Sequence, residues 1–166
     1  MPGLAWQDDA TGFLQLAGRQ IEYGMWGPAP GTGKAGSSGA APTIVLLHEG
    51  LGCVALWRNF PEQLARATGC GVFAFSRPGY GQSDPKPLPW PLDYMTREAA
   101  ETLAPVLDAL AAPAVVLIGH SDGATIAAIH AGSVEDRRLL GRGSDGTAFL
   151  HRTGGPGVDS RGKDGL

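Results

Sequence analysis

Two cysteines among 166 residues, Cys53 and Cys70, are too few for a disulfide framework, and neither stands at metal-ligand spacing from a histidine. No metal site or cofactor is implied, and reduced thiols in a cytoplasmic protein are the expectation. An excess of positive charge is also missing. Thirteen Lys and Arg against sixteen Asp and Glu leave a net charge of −3 and a pI near 5.7. That excludes the basic surface that nucleic acid or an anionic membrane would demand. No apolar stretch reaches the roughly 18 residues of a bilayer span, and the start Met1 to Asp9 has neither a positive n-region nor an apolar h-region. The chain therefore reads as neither exported by a recognisable signal nor embedded. Internal repeats are absent too. What the chain does have is 43% hydrophobic residues, enough for a core.

That apolar content is distributed in short continuous runs. Thr43-Ile44-Val45-Leu46-Leu47, Cys70 to Phe75 and Ala114 to Ile118 are buried strands of the parallel type. Between them, Trp57 to Ala67, with Phe60, Leu64 and Ala67 in helical spacing and Pro61 in the first turn, predicts one crossover helix. Tyr94 to Ala111, with Leu103, Val106, Leu107 and Leu110 on one face, predicts another. Gly12 to Gly18 and Gln20 to Gly27 read as two antiparallel edge strands joined at Gly18-Arg19. The βαβαβα order implies a parallel sheet with right-handed crossovers.

The last of these strands leads directly into Gly119-His120-Ser121-Asp122-Gly123, and Ala124-Thr125-Ile126-Ala127-Ala128 continues as a helix. A G-x-S-x-G pentapeptide between strand and helix is the context of a nucleophile elbow. There a strained turn presents the serine hydroxyl, and the flanking glycines let strand and helix approach closely. A glycine-bounded turn whose serine merely starts a helix is the plain alternative. About 70 residues earlier, the Thr43 strand ends in His48-Glu49-Gly50-Leu51-Gly52. Acyl transfer from Ser121 would create a tetrahedral oxyanion needing two backbone N–H donors. In this arrangement Asp122 supplies one, and the glycine-rich loop, at Gly50, supplies the other.

On these residues, together with Ser76-Arg77-Pro78-Gly79-Tyr80-Gly81-Gln82-Ser83, residues 13 to 138 resemble the α/β-hydrolase family. The wording is closest to a bacterial group with an H-E-G-L-G oxyanion loop and a G-H-S-D-G elbow. The resemblance implies an α/β fold: an eight-stranded, mostly parallel sheet with helices on both faces. It also implies a Ser, acid, His triad in that chain order, and hydrolysis of an ester, thioester, amide or carbon–carbon bond. It names no substrate. Residues 1–138 read as the N-terminal part of such a domain, with a Gly, Ser, Ala and Pro-rich loop insertion at 28–42. Gly31-Thr32-Gly33-Lys34 inside that loop is not a phosphate loop: Pro28 stands where the first glycine belongs, Ala35 follows the lysine, and no strand or helix flanks it.

Several neighbours of the elbow have two readings each. Trp57 and Trp90 could line an acyl pocket or pack at its rim, and Leu51 joins Trp57 as a possible pocket residue. His48 is expected to orient the loop by bonding to backbone, and His120 to point away from Ser121. Glu49 either faces a polar substrate group or is a solvated loop carboxylate, and the Asp122 carboxylate could touch substrate. Ser121 also requires a general base. His130 is carried away from the strand tops by the elbow helix, and His151 has no strand-like run before it, so no acid–His pair is assigned. Residues 139–166, rich in Gly, Arg and Asp, read as a low-complexity tail, either a disordered linker or the product of a shifted reading frame. Codons can be chosen for 139–158 so that the +1 frame reads CWAVVLMAPHFFTEPVGLA, which contains a strand-like run. Two functions of different class follow: a serine hydrolase truncated after the elbow helix, or a catalytically inactive fragment serving as a binding module.

Overall fold

The chain is described by a computed structural model covering residues 4–33, 41–133, 135–140 and 149–151. Strands Ala10–Leu16 (β1) and Arg19–Trp26 (β2) pair antiparallel as a hairpin. The turn falls on Ala17 and Gly18, at φ 48° and 78°, one residue before the expected Gly18-Arg19. Two successive positive φ values are what a two-residue hairpin loop of the primed type needs to match strand twist. Strands Thr43–Leu47 (β3), Gly71–Phe75 (β4) and Val115–His120 (β5) form the parallel centre, and the sheet order is β1-β2-β4-β3-β5-β6, where β6 is Phe149–His151. β2 pairs antiparallel with β4; β3 pairs parallel with both β4 and β5, and β5 pairs parallel with β6. Of the eight strands the resemblance implies, six are present among the described residues.

Continuous burial of β3 and β4 reflects a sheet covered on both faces. Alternate residues serve two cores. Val45, Leu47, Phe73 and Phe75 join Leu103, Val106, Leu107, Leu110 and Ile126 on one side, while Ile44, Leu46, Val72 and Ala74 pack with Val54 and Ala65 on the other. The second face is covered by helix Phe60–Thr68 (α1), which opens with Pro61 in its first turn and closes on Gly69 at φ 69°. Trp57 differs from expectation. It ends a separate 3-10 turn, Val54–Trp57, broken from α1 by Arg58 at φ 51°.

The second crossover is also less regular than its apolar spacing suggests. It comprises Tyr94–Arg97 (α2), a π-helical stretch Glu98–Leu103, and Ala104–Leu110 (α3). Pro105 explains the widened turn: it has no N–H for the Glu101 carbonyl, and its ring would collide with that carbonyl in an α-helical register. Helix Asp122–Ser133 (α4) follows β5 after a single residue, Ser121.

Past α4 the structure departs from the expected unstructured tail at two places. Leu139 bridges Val115 in parallel, and β6 pairs with Ile118 to His120, so the outer edge of β5 is covered at both places. His151, expected to lack a strand, ends β6 in register with His120. Residues 141–148 and 152–166 lie outside the described residues, as does 34–40 of the loop insertion.

Candidate active site

The C-terminal ends of β3, β4 and β5 lie side by side, and three loops leave from them. Ser121 has φ 49°, a left-handed conformation that a β-carbon makes unfavourable. Its carbonyl accepts the Ala124 and Thr125 N–H groups at 2.9 and 3.1 Å, which starts α4 immediately. The two glycines are required by space. A β-carbon at Gly119 would stand 2.3 Å from the Ala124 nitrogen, and one at Gly123 would stand 2.1 Å from the Leu47 carbonyl oxygen. Backbone cannot yield to such contacts, so only glycine lets α4 sit this close to β3.

The loop after β3 lies against the start of α4: a β-carbon at Gly50 would be 3.1 Å from Asp122 Oδ2. His48 anchors this loop. It is 1% exposed, its Nδ1–H donates to the Glu49 carbonyl at 2.6 Å, and its Nε2 accepts the Arg77 N–H at 3.0 Å. Those partners specify the neutral tautomer protonated on Nδ1. Burial, and then the adjacent Arg77 charge, lower its pKa to about 4. Arg77 is itself buried. Its Nη2 donates to the Glu49 carbonyl at 3.0 Å and lies 4.0 Å from Asp122 Oδ2, with the guanidinium stacked over Tyr80. Tyr94 completes the contact by donating its hydroxyl to Asp122 Oδ2 at 2.7 Å. Burial first, and then that bond, push the phenol up to about 12, which keeps it a donor at neutral pH.

A second polar network fixes the turn after β4. Buried Glu22 of β2 accepts the Ser76 hydroxyl at 2.6 Å, the Gln82 N–H at 2.9 Å and the Gln82 side-chain amide at 3.0 Å. Ser76 Oγ in turn accepts the Val54 N–H at 2.9 Å, and Ser83 donates its hydroxyl to the Ser76 carbonyl. Gly81 at φ 54° is indispensable here, since a β-carbon would meet Glu22 Oε2 at 2.3 Å. The network ties β2, the loop after β4 and the 3-10 turn beyond the Gly50 loop into one frame. Glu22, Arg77 and Tyr94 were not among the residues singled out from sequence. Glu22 stands beside Ile21 in an alternating strand, a position that reads as outward.

Other residues near the elbow fall in different surroundings. Leu51 is 89% exposed, and Trp57 stacks on Phe60 with ring centroids 5.7 Å apart. Glu49 turns its carboxylate toward His120 Nδ1, 3.3 Å away. Trp90 contacts Tyr80 and Tyr94 by ring edges and faces. His130 is far along α4 and fully buried, with Nδ1 3.3 Å from the Ala99 carbonyl and Nε2 3.4 Å from Asp136 Oδ2. The ring nitrogens of His48 and His130 are thus directed to partners other than Ser121.

The sequence profile described as alpha/beta hydrolase fold matches residues 42–137, more than half of the chain. No curated protein sequence matches. Among solved structures, a bacterial membrane phospholipase A is 26% identical with a TM-score of 0.58, covering 75% of this chain and 35% of its own. Epoxide hydrolase A from Mycobacterium thermoresistibile is 25% identical with a TM-score of 0.55, over 74% of this chain and 34% of that one. An epoxide hydrolase from Vigna radiata, at 17% identity and a TM-score of 0.58 over 75% and 35%, shares the fold. The chain thus spans about a third of the length of these structures. No helix among the described residues is long and apolar enough to cross a membrane.

Proposed function

Because the chain belongs to the alpha/beta hydrolase fold family, we propose that it carries the nucleophile half of a serine hydrolase, acting on an ester, thioester, amide or carbon–carbon bond of a small-molecule substrate. The observation that carries this reading is Ser121 held at φ 49° between β5 and α4. In the proposed step the Ser121 oxygen attacks a carbonyl carbon, the carbonyl electron pair moves onto oxygen, and the hydroxyl proton leaves to a base. The oxyanion is received by the N–H groups of Asp122 and Gly50, with the unpaired amides of the α4 N-terminus adding a favourable field. The carbonyl then re-forms as the leaving group departs with the proton from the base, and water attacks the acyl enzyme to give the carboxylic acid and the free Ser121 hydroxyl.

The step needs a base, and two of the histidines are engaged elsewhere. His48 has both ring nitrogens committed to backbone, and His130 lies buried at the other end of α4. The chain alone is therefore expected to bind a tetrahedral mimic at Ser121 yet give no measurable Ser121-dependent turnover of p-nitrophenyl acetate. Boron-11 NMR with phenylboronic acid tests the nucleophile. A tetrahedral adduct should form with the chain and be lost in Ser121→Ala; an identical signal in both would remove Ser121 from the reaction. Ester hydrolysis abolished by Ser121→Ala would instead show that a base is present in the chain. The inactive binding module is favoured by one observation, the commitment of His48 and His130 to other partners, and adduct formation with no turnover is its expected signature.

A further inference from the structure

The residue after the proposed nucleophile is an aspartate, and a carboxylate beside a developing oxyanion opposes catalysis unless it is compensated and used. Compensation is built in. Asp122 Oδ2 accepts the Tyr94 hydroxyl at 2.7 Å and faces the buried Arg77 guanidinium at 4.0 Å. Arg77 is held in turn by the Glu49 carbonyl, its side chain is only 2% exposed, and its Nε–H has no acceptor among the described residues. Both of these interactions, the ones the carboxylate makes among the described residues, fall on one oxygen. Oδ1 has no hydrogen-bond partner among the described residues, and the side chain remains 22% exposed beside the Gly50 loop.

Resting on the serine hydrolase reading, we propose that Asp122 Oδ1 is a specificity acceptor for a substrate bearing an N–H or O–H donor next to the scissile carbonyl, such as an acylamino or hydroxy acyl group. Arg77 and Tyr94 are its positioning residues. They fix the rotamer, so that Oδ1 rather than Oδ2 is offered to the ligand. A site built to bond a substrate donor discriminates strongly against an analogue lacking it, because the acceptor is desolvated without return.

The test compares two boronic acids of similar shape on the full chain: acetamidomethylboronic acid, with an N–H beside the boron-bearing carbon, and 3-methylbutylboronic acid, without one. Affinities are read from titration of amide resonances. The acetamido compound should bind at least about tenfold more tightly. That ratio should collapse toward one in Asp122→Ala and fall part of the way in Asp122→Asn, whose neutral carbonyl is the weaker acceptor. Tyr94→Phe should also lower the ratio by freeing the carboxylate to rotate. Equal affinities in the unaltered chain, or a ratio that survives Asp122→Ala and Asp122→Asn, overturns the proposal while leaving the serine reading intact. Binding of both compounds undiminished in Ser121→Ala defeats the serine reading, and this proposal with it.

Discussion

Two buried carboxylates at opposite ends of the sheet are stabilised in contrasting ways. Glu22, at the C-terminal ends of the parallel strands, has no cation within ion-pair distance among the described residues and is satisfied by a hydroxyl and two amide donors. Asp136, beside the start of β5, is bound by Arg138 through Nε and Nη2 at 2.8 and 2.7 Å and faces His130 at 3.4 Å, while Arg138 also reaches Asp108. The difference matches the two ends. The neutral donors, Ser76 and Gln82, belong to the turn after β4, 54 and 60 residues from Glu22 in the chain, so Glu22 can only be satisfied when β2 and that turn are assembled. The Arg138 pair is local, and it holds the segment after α4 against Val115. A carboxylate bound by distributed neutral donors positions a site, whereas one bound by a neighbouring cation secures a single strap.

The contrast can be broken by substitution. The largest effect is expected at the elbow itself: Gly123→Ala drives a methyl into the Leu47 carbonyl. It should cost about 3 kcal/mol or more by urea denaturation, or prevent folding. Glu22→Ala strands the buried Ser76 hydroxyl and frees two donors of exposed Gln82, and should cost about 2 kcal/mol, with Glu22→Gln recovering part of this.

At the other end the effect should depend on pH. The Arg138 side chain, bonded to Asp136, lowers the Asp136 pKa to about 2, the largest cause among several. An unfolded aspartate titrates near 4, so this group adds about 2 kcal/mol of stability above that pH, lost as pH falls from about 4 through about 2. Asp136→Asn should flatten the stability profile in that window and leave it unchanged in shape above it. The smallest effect has the opposite sign. Ser121→Gly relieves a non-glycine residue at φ 49° and should raise stability by about 1 kcal/mol, the expected mark of a residue kept in place for chemistry.

The strands and the elbow were legible because each signal is local. β3, β4 and β5 are uninterrupted apolar runs, and G-x-S-x-G marks its own turn. The π stretch was hidden because apolar spacing over 94–111 is the same whether or not Pro105 widens a turn. The polar frame was hidden for a different reason. Glu22 meets Ser76 and Gln82 across 54 and 60 residues, and Arg77 meets Asp122 only because two parallel strands end together. Sequence spacing carries no trace of such pairings. Leu51, grouped with the pocket by its place in the loop, is almost fully exposed, since adjacency in the chain does not tell which way a loop residue turns.

The proposed reaction requires the loop after β3 and the turn after β5 to converge on one anion site. A crystal structure of the full chain with phenylboronic acid tests it most directly. Boron is expected bonded to Ser121 Oγ, with one boronate oxygen about 2.7–3.1 Å from both the Gly50 and the Asp122 nitrogens. Boron bound elsewhere, or those two nitrogens more than about 6 Å apart and so unable to share one oxygen, would contradict it.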